Sequence, residues 1–434
     1  MKADRKPPDV QILALRLAVG LLQGLVLFLL YRASDTVTWP ATNGFVFAPA
    51  LMVAWFIPIS VSAMLGEVRA RAITLWAITA TAGLALFSLH DIARAAAEGG
   101  WMPWSPENEA KENRITPSFA LFQFLLCAMF VAQSLVAAAD RDKRIIAAYS
   151  TYFDVAWKYA VQFICAVTFV GLFWLLLSLS AALFDMIGLD FLTKLMDRPV
   201  FTIPVLSLAM SVAIHVTDVH PGLIQGVRAL KMGLLTALLP PFAALLVAFV
   251  VGLLFVGAAT VWSHENAISL ALSAASIEIL LVTATYREGS VDRSINRWIK
   301  LSCGVATVTA LLLTALAATI LAKRIMDYGL TESRFIGAAF IVTLLWHSAG
   351  FVWATFAKGQ WLHRVEPVNI YGAFLTLALF ALVFSPILDP LRISVANQAS
   401  RLASGKVLAK DFDFAYLRFH AGRYGHDQLS QWAS

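Results

Sequence analysis

Two histidines and a carboxylate within six residues can hold a metal, and IHVTDVHPG (Ile214–Gly222) carries them as His215, Asp218 and His220. Zinc accepts both ligand types, and on a helix His215 and Asp218 share a face. Pro221, however, biases His220 toward extended backbone, away from that face. No second cluster lies nearby in the sequence to complete a coordination shell. The expectation is no metal and no cofactor, with the segment forming a solvated loop end among lipid headgroups.

Two other titratable residues stand inside long apolar runs. Glu278 sits near the middle of Ala267–Tyr286 and His347 near the middle of Phe335–Phe356. An ionised carboxylate at that depth costs roughly 3 kcal/mol, so it has reason to be neutral, paired or in a wet cavity. Ala271, Ala274 and Thr285 share the Glu278 face, and Ser348, Ala349 and Gly350 follow His347; both settings suit close packing inside a bundle. The chemistry such a pair could do is proton titration or cation binding on a transport path; the plainer reading is one hydrogen bond apiece to a neighbouring helix. Arg16, about two turns into the first run, reads as a residue whose long side chain snorkels to the surface.

The elements that must position these groups are membrane helices. The chain has 434 residues, 59% hydrophobic and 14% charged. Soluble domains carry about 25% charged residues, so this composition excludes one. Eleven apolar runs are long enough to span: 12–31, 44–65, 72–89, 118–139, 155–187, 200–214, 234–260, 267–286, 298–322, 335–356 and 368–387. The fold expected is all-α, a polytopic transmembrane bundle of about 11 spans (10–12), occupying 1–387, with an extramembrane amphipathic helical tail over 388–434. The first run is too long for a secretory signal and reads as an uncleaved span. Pro58, Pro204 and Pro240-Pro241 favour kinks. Gly20 and Gly24 form a small-xxx-small motif, better suited to packing within the chain than to a dimer seam. Cys127, Cys165 and Cys303 lie far apart in apolar runs and read as packing residues.

Basic residues set the expected orientation. With the N-terminus inside, seventeen lysines and arginines fall on inner loops against nine on outer ones. The outer loop 90–117 is rich in glutamate: Glu98, Glu107, Glu109 and Glu112. The net charge of +6 therefore speaks of topology, not of nucleic acid. An odd number of spans puts the tail outside. No HExxH, GxSxG or P-loop pattern occurs, Ser404–Lys406 lacks the earlier glycine of a phosphate cradle, and His90-Asp91 has no nucleophile beside it. The chain is not expected to be an enzyme.

In the tail, Ser394 can cap a short helix through Ala403 that Gly405 stops, and Phe412, Tyr416 and Phe419 form an apolar stripe. Its stretches DPLRIS (Asp389, Pro390, Arg392), NQASRLASGKV (397–407) and FDFAYLRFHAGRYG (Asp413, Tyr416, Arg418, Gly422, Arg423, Tyr424) resemble the bacterial membrane proteins grouped as domain of unknown function 4153. HVTDVHPG, YGLT (328–331), FSP (384–386) and WPATNGFVFAP (39–49) extend the resemblance along the whole chain. The resemblance implies a bacterial inner-membrane bundle with a periplasmic tail, often continued by a further soluble region, and it brings no activity to carry over. Two function classes stay open. One is transport of a small solute or ion past Glu278 and His347. The other is a membrane scaffold or sensor that meets a periplasmic or membrane protein partner through the tail and outer loop. The lipid bilayer is a partner in either case.

Overall fold

In a computed structural model the chain is described over residues 9–95, 116–219, 221–257, 260, 264, 266–287, 289, 296–358 and 360–434. His220 and the four loop glutamates named above lie outside the described residues. Among the described residues there are helices and no strands, as an apolar chain must arrange itself when lipid offers its backbone no hydrogen bonds.

Eleven helices are long and apolar enough to cross a membrane, and they fit a polytopic membrane protein. They are α1 (Asp9–Asp35), α2 (Gly44–Met64), α3 (Ala70–Ala93), α4 (Phe119–Asp142), α5 (Tyr149–Met186), α7 (Pro199–Val219), α8 (Pro221–Val256), α9 (Ala267–Tyr286), α10 (Arg297–Tyr328), α11 (Glu332–Phe356) and α12 (Val365–Val383). Among the described residues there are also four short α-helices, α6 (Phe191–Met196), α13 (Pro390–Ala403), α14 (Phe414–Phe419) and α15 (Gly422–Ala433), and a 3-10 turn at Ala409–Asp411. Their starts are chemically marked. The side chains of Asn43, Ser118, Asn296 and Thr331 each accept a backbone N–H of the first turn, filling donors that the helix itself leaves open.

The chain forms two compact units, Met1–Arg228 and Ala229–Ser434. In the first, α1 lies against α7 and α2, α7 also packs on α5, and α2, α3 and α4 adjoin one another. A Cβ on Gly24 would come within 2.4 Å of the Pro204 Cα, and one on Gly20 within 2.3 Å of the Ser211 Oγ. Both glycines thus face α7 of the same chain and set how closely the two backbones approach.

In the second unit α9 packs on α10 and α11, α11 on α12, and the tail helix α13 on α11. Its core is built from small and branched residues: Ala271, Ala275, Ala310, Leu313, Ala317 and Leu344. The tail clusters with this unit by its contacts.

Three expectations are corrected. The run read as 200–214 is a helix through Val219, because half-buried His215 and Asp218 find a partner in Arg16 and Thr217 bonds its own helix, so none need face lipid. The segment around His215 is accordingly a helix end, not a solvated loop. In the tail, Asp389 caps α13, accepting from Leu391 N at 3.0 Å with Pro390 in the first turn, and Ser394 lies inside the helix.

Candidate functional site

Glu278 is the buried acid that the α9 sequence places among small residues, and its side chain is wholly inaccessible. Thr309 Oγ1 on α10 donates to its Oε1 at 2.5 Å. The other oxygen, Oε2, is buried and meets no donor among the described residues. Other hydroxyls of the same two helices are used within their own helix: Ser276, Thr285 and Thr314 each donate to a carbonyl four residues back. Thr309 also lies within bonding distance of the Val305 and Ala306 carbonyls, so three acceptors compete for one proton. Among the described residues Glu278 therefore has one shared donor, no bonded cation and one oxygen without a donor. That arrangement suits a carboxyl that takes up and releases a proton.

His347 belongs to a different contact. Its Nδ1 donates to the Thr343 carbonyl at 2.8 Å, one turn back on α11. The Nε2 edge lies against α12, where a Cβ on Gly372 would come within 2.4 Å of it. Phe351 adds an edge-on ring contact at 6.3 Å. Glu278 and His347 do not bond one another: the acid looks to α10 and the imidazole to α12. The sequence reading identified both residues but neither partner. Thr309 is one of many mid-span threonines, and Gly372 gave no signal beyond its size.

In the first unit, Arg16 does not snorkel. Its side chain is fully buried and ties three segments together. The Nε donates to the Ser62 carbonyl at 2.9 Å and Nη2 to the Leu65 carbonyl at 2.8 Å, satisfying acceptors that α2 leaves open at its C-terminus. The same Nη2 pairs with Asp218 Oδ2 at 2.8 Å, and Nη1 donates to His215 Nδ1 at 3.2 Å. Lys158 on α5 reaches Asp218 Oδ1 at 2.6 Å and also pairs with Glu67. Two cations thus meet two carboxylates, and the motif that resembled a metal site is half of an ion network. The reason snorkelling fails is that better partners lie sideways than outward. Among the described residues no group of three or more potential metal ligands occurs.

The signature residues of the tail close over the turn between α10 and α11. Asn397 Oδ1 accepts from Leu330 N at 2.8 Å, and Gln398 Nε2 donates to the Tyr328 and Leu330 carbonyls. Arg401 donates to the Met326 and Asp327 carbonyls at 3.0 and 2.6 Å, capping the end of α10. The Glu332 N–H reaches the Tyr416 hydroxyl at 3.4 Å, that hydroxyl meets Ser394 Oγ at 2.8 Å, and Ser394 donates to the Leu330 carbonyl at 2.9 Å. Burial pushes the Tyr416 phenol above its usual range, which keeps it a donor. Arg392 bonds the Ile387 carbonyl, Asp413 caps α14 through Tyr416 N, and Arg418 lies 5.4 Å from the Phe419 ring centre. Gly422 holds φ +54° at the start of α15, where Arg423 pairs loosely with Asp427; Tyr424 is half-buried on the same helix. Replacing Arg401 by Ala is expected to cost about 1–2 kcal/mol and to speed amide exchange from Tyr328 to Leu330. Hydrogen exchange with mass readout checks it.

No family model, curated protein or solved structure matches the chain. The functional reading therefore rests on its own residues.

Proposed function

We propose that the protein moves a small solute or ion across the membrane and that Glu278 carries the coupled proton. The observation behind this reading is the bare Oε2 of a wholly buried carboxyl in the middle of a span, without a bonded cation. An ionised acid there is costly by roughly 3 kcal/mol, and a protein that needs only an anchor gains nothing by keeping it. His347, on the opposite side of α11, is a second titratable group and not the first one's partner. In this reading the chain is no enzyme and the membrane is a bacterial inner membrane, with an inside N-terminus and an outside tail. The excess of basic residues on the loops assigned as inner supports that orientation. The tail signature supports membership of the family of domain of unknown function 4153 as part of the same proposal.

Glu278→Gln keeps the hydrogen bond from Thr309, so stability is expected to change by less than about 1 kcal/mol. Ala275→Cys, in a background whose three native cysteines are replaced, places a thiol one turn from the acid. A small water-soluble thiol reagent is expected to label it, and the pH dependence of the rate is expected to shift between Glu278 and Gln beyond the thiol's own ionisation. No labelling from either side of the membrane would mean a dry bundle, and the transport reading would fall.

A second reading, a scaffold or sensor, draws on one observation. Phe414, Phe419 and Trp432 present exposed aromatic rings on a tail that is itself firmly held. Crosslinking through Phe419 to a defined envelope protein, together with a dry Glu278, would favour it.

A further inference from the structure

The cations at the two ends of the second unit are treated differently. At the end that carries the tail, guanidinium groups are engaged by backbone. Arg324 bonds the His264 carbonyl, Arg334 the Gly329 carbonyl, Arg392 the Ile387 carbonyl, and Arg401 two carbonyls of α10. At the opposite end, three cations lie on tryptophan faces without a bonded carbonyl among the described residues. Arg334 at the tail end, by contrast, keeps its carbonyl as well as the Tyr328 ring at 5.7 Å. Arg297 sits 5.3 Å from the Trp298 ring centre, Lys300 5.6 Å from Trp361, and Arg364 5.0 Å from Trp353. Among the described residues none of the three makes an ion pair or side-chain hydrogen bond. The acid described there, Glu366, is already taken by the Tyr286 hydroxyl at 2.7 Å and by His363. Trp298 and Trp353 are 59% and 51% exposed, which in a chain this apolar places their rings among lipid.

We infer that this end of the second unit is a seat for anionic phospholipid headgroups. Indole rings settle at the boundary between hydrocarbon and headgroup, so the exposed tryptophans fix the depth. A guanidinium stacked on an aromatic face can keep its edge N–H donors free, and that fork matches a phosphate; the Lys300 ammonium adds a point charge. The links across the site are structural. Lys300 begins α10 and Trp361 lies in the α11–α12 loop, while Arg364 precedes α12 and Trp353 belongs to the last turn of α11. Arg287 and Lys358, also exposed at this end, add positive charge. A negatively charged leaflet is the one partner that supplies phosphate at that depth along the whole rim. The inference is independent of what Glu278 does.

The test uses the purified full chain in neutral micelles, with phosphatidylglycerol or phosphatidylcholine added, read by native mass spectrometry and thermal melting. Wild type is expected to retain phosphatidylglycerol selectively and to melt higher with it. The combined variant Arg297→Gln, Lys300→Gln, Arg364→Gln is expected to bind it about 100-fold more weakly, each basic residue contributing roughly fivefold. Removing the tail cations by Lys406→Gln and Lys410→Gln should leave retention unchanged. Wild type that does not distinguish the two lipids overturns the inference, whatever the variant's folding. So does equal loss in the tail variant, which would reflect overall charge. Displacement by millimolar inorganic phosphate overturns it as well, since the anion would then be a soluble one.

Discussion

Asp218→Ala is expected to destabilise the protein by about 3–5 kcal/mol, the range seen when one member of a buried ion pair is removed. Lys158 retains Glu67, so the loss falls on Arg16, which is fully buried and keeps only carbonyls and an imidazole around its charge. Thermal unfolding in detergent, followed by loss of the monodisperse peak, reads the effect. Arg16→Leu combined with Asp218→Leu should recover part of the loss, because the double change removes both charges and not one. A double variant as unstable as the sum of its parts would show that the two residues act separately, contrary to their 2.8 Å contact.

Gly24→Ala is expected to cost about 2–3 kcal/mol, and Gly20→Ala about 1–2 kcal/mol. The order follows from what each new methyl would meet. At Gly24 it is the Pro204 backbone at 2.4 Å, which cannot yield without moving α7; at Gly20 the Ser211 hydroxyl can rotate away, but the Ser211 Cβ at 2.8 Å still obliges a smaller shift. The same melting experiment ranks them. If the motif served a dimer instead, Gly24→Ala would alter the oligomeric state measured by light scattering while leaving the monomer's melting point in place.

Which parts of this could be read from the sequence follows from range. A span is a local property, since the bilayer thickness sets its length and lipid forbids unpaired backbone. Each of the eleven apolar runs accordingly falls on a helix, with ends that differ by several residues in places. Partnerships are not local. Arg16 and Asp218 lie about two hundred residues apart, so Arg16 read as a lone cation and Asp218 as a loop residue. That missed pair also explains the shortened seventh helix: an apolar window stops at the first polar cluster whether or not the cluster is buried. In the tail, Ser394 and Asp389 are both good cap residues, and the deciding signal was Pro390, which favours a first-turn position. Glu278 was found because any acid in the hydrocarbon is conspicuous, whereas Thr309 resembles every other threonine that bonds its own helix.

The closure of α10 by Arg401 has a consequence for biosynthesis. A helix whose last residue is Tyr328 obtains part of its terminal cap only after some seventy further residues have been made. The ion network of the first unit can assemble as soon as Asp218 emerges, but the α10–α11 turn must wait, partly uncapped, while α11 and α12 are inserted. Nascent chains arrested before Ser394 should therefore expose that turn to protease, and a fusion placed directly after Val383 would disturb a site far upstream of the junction.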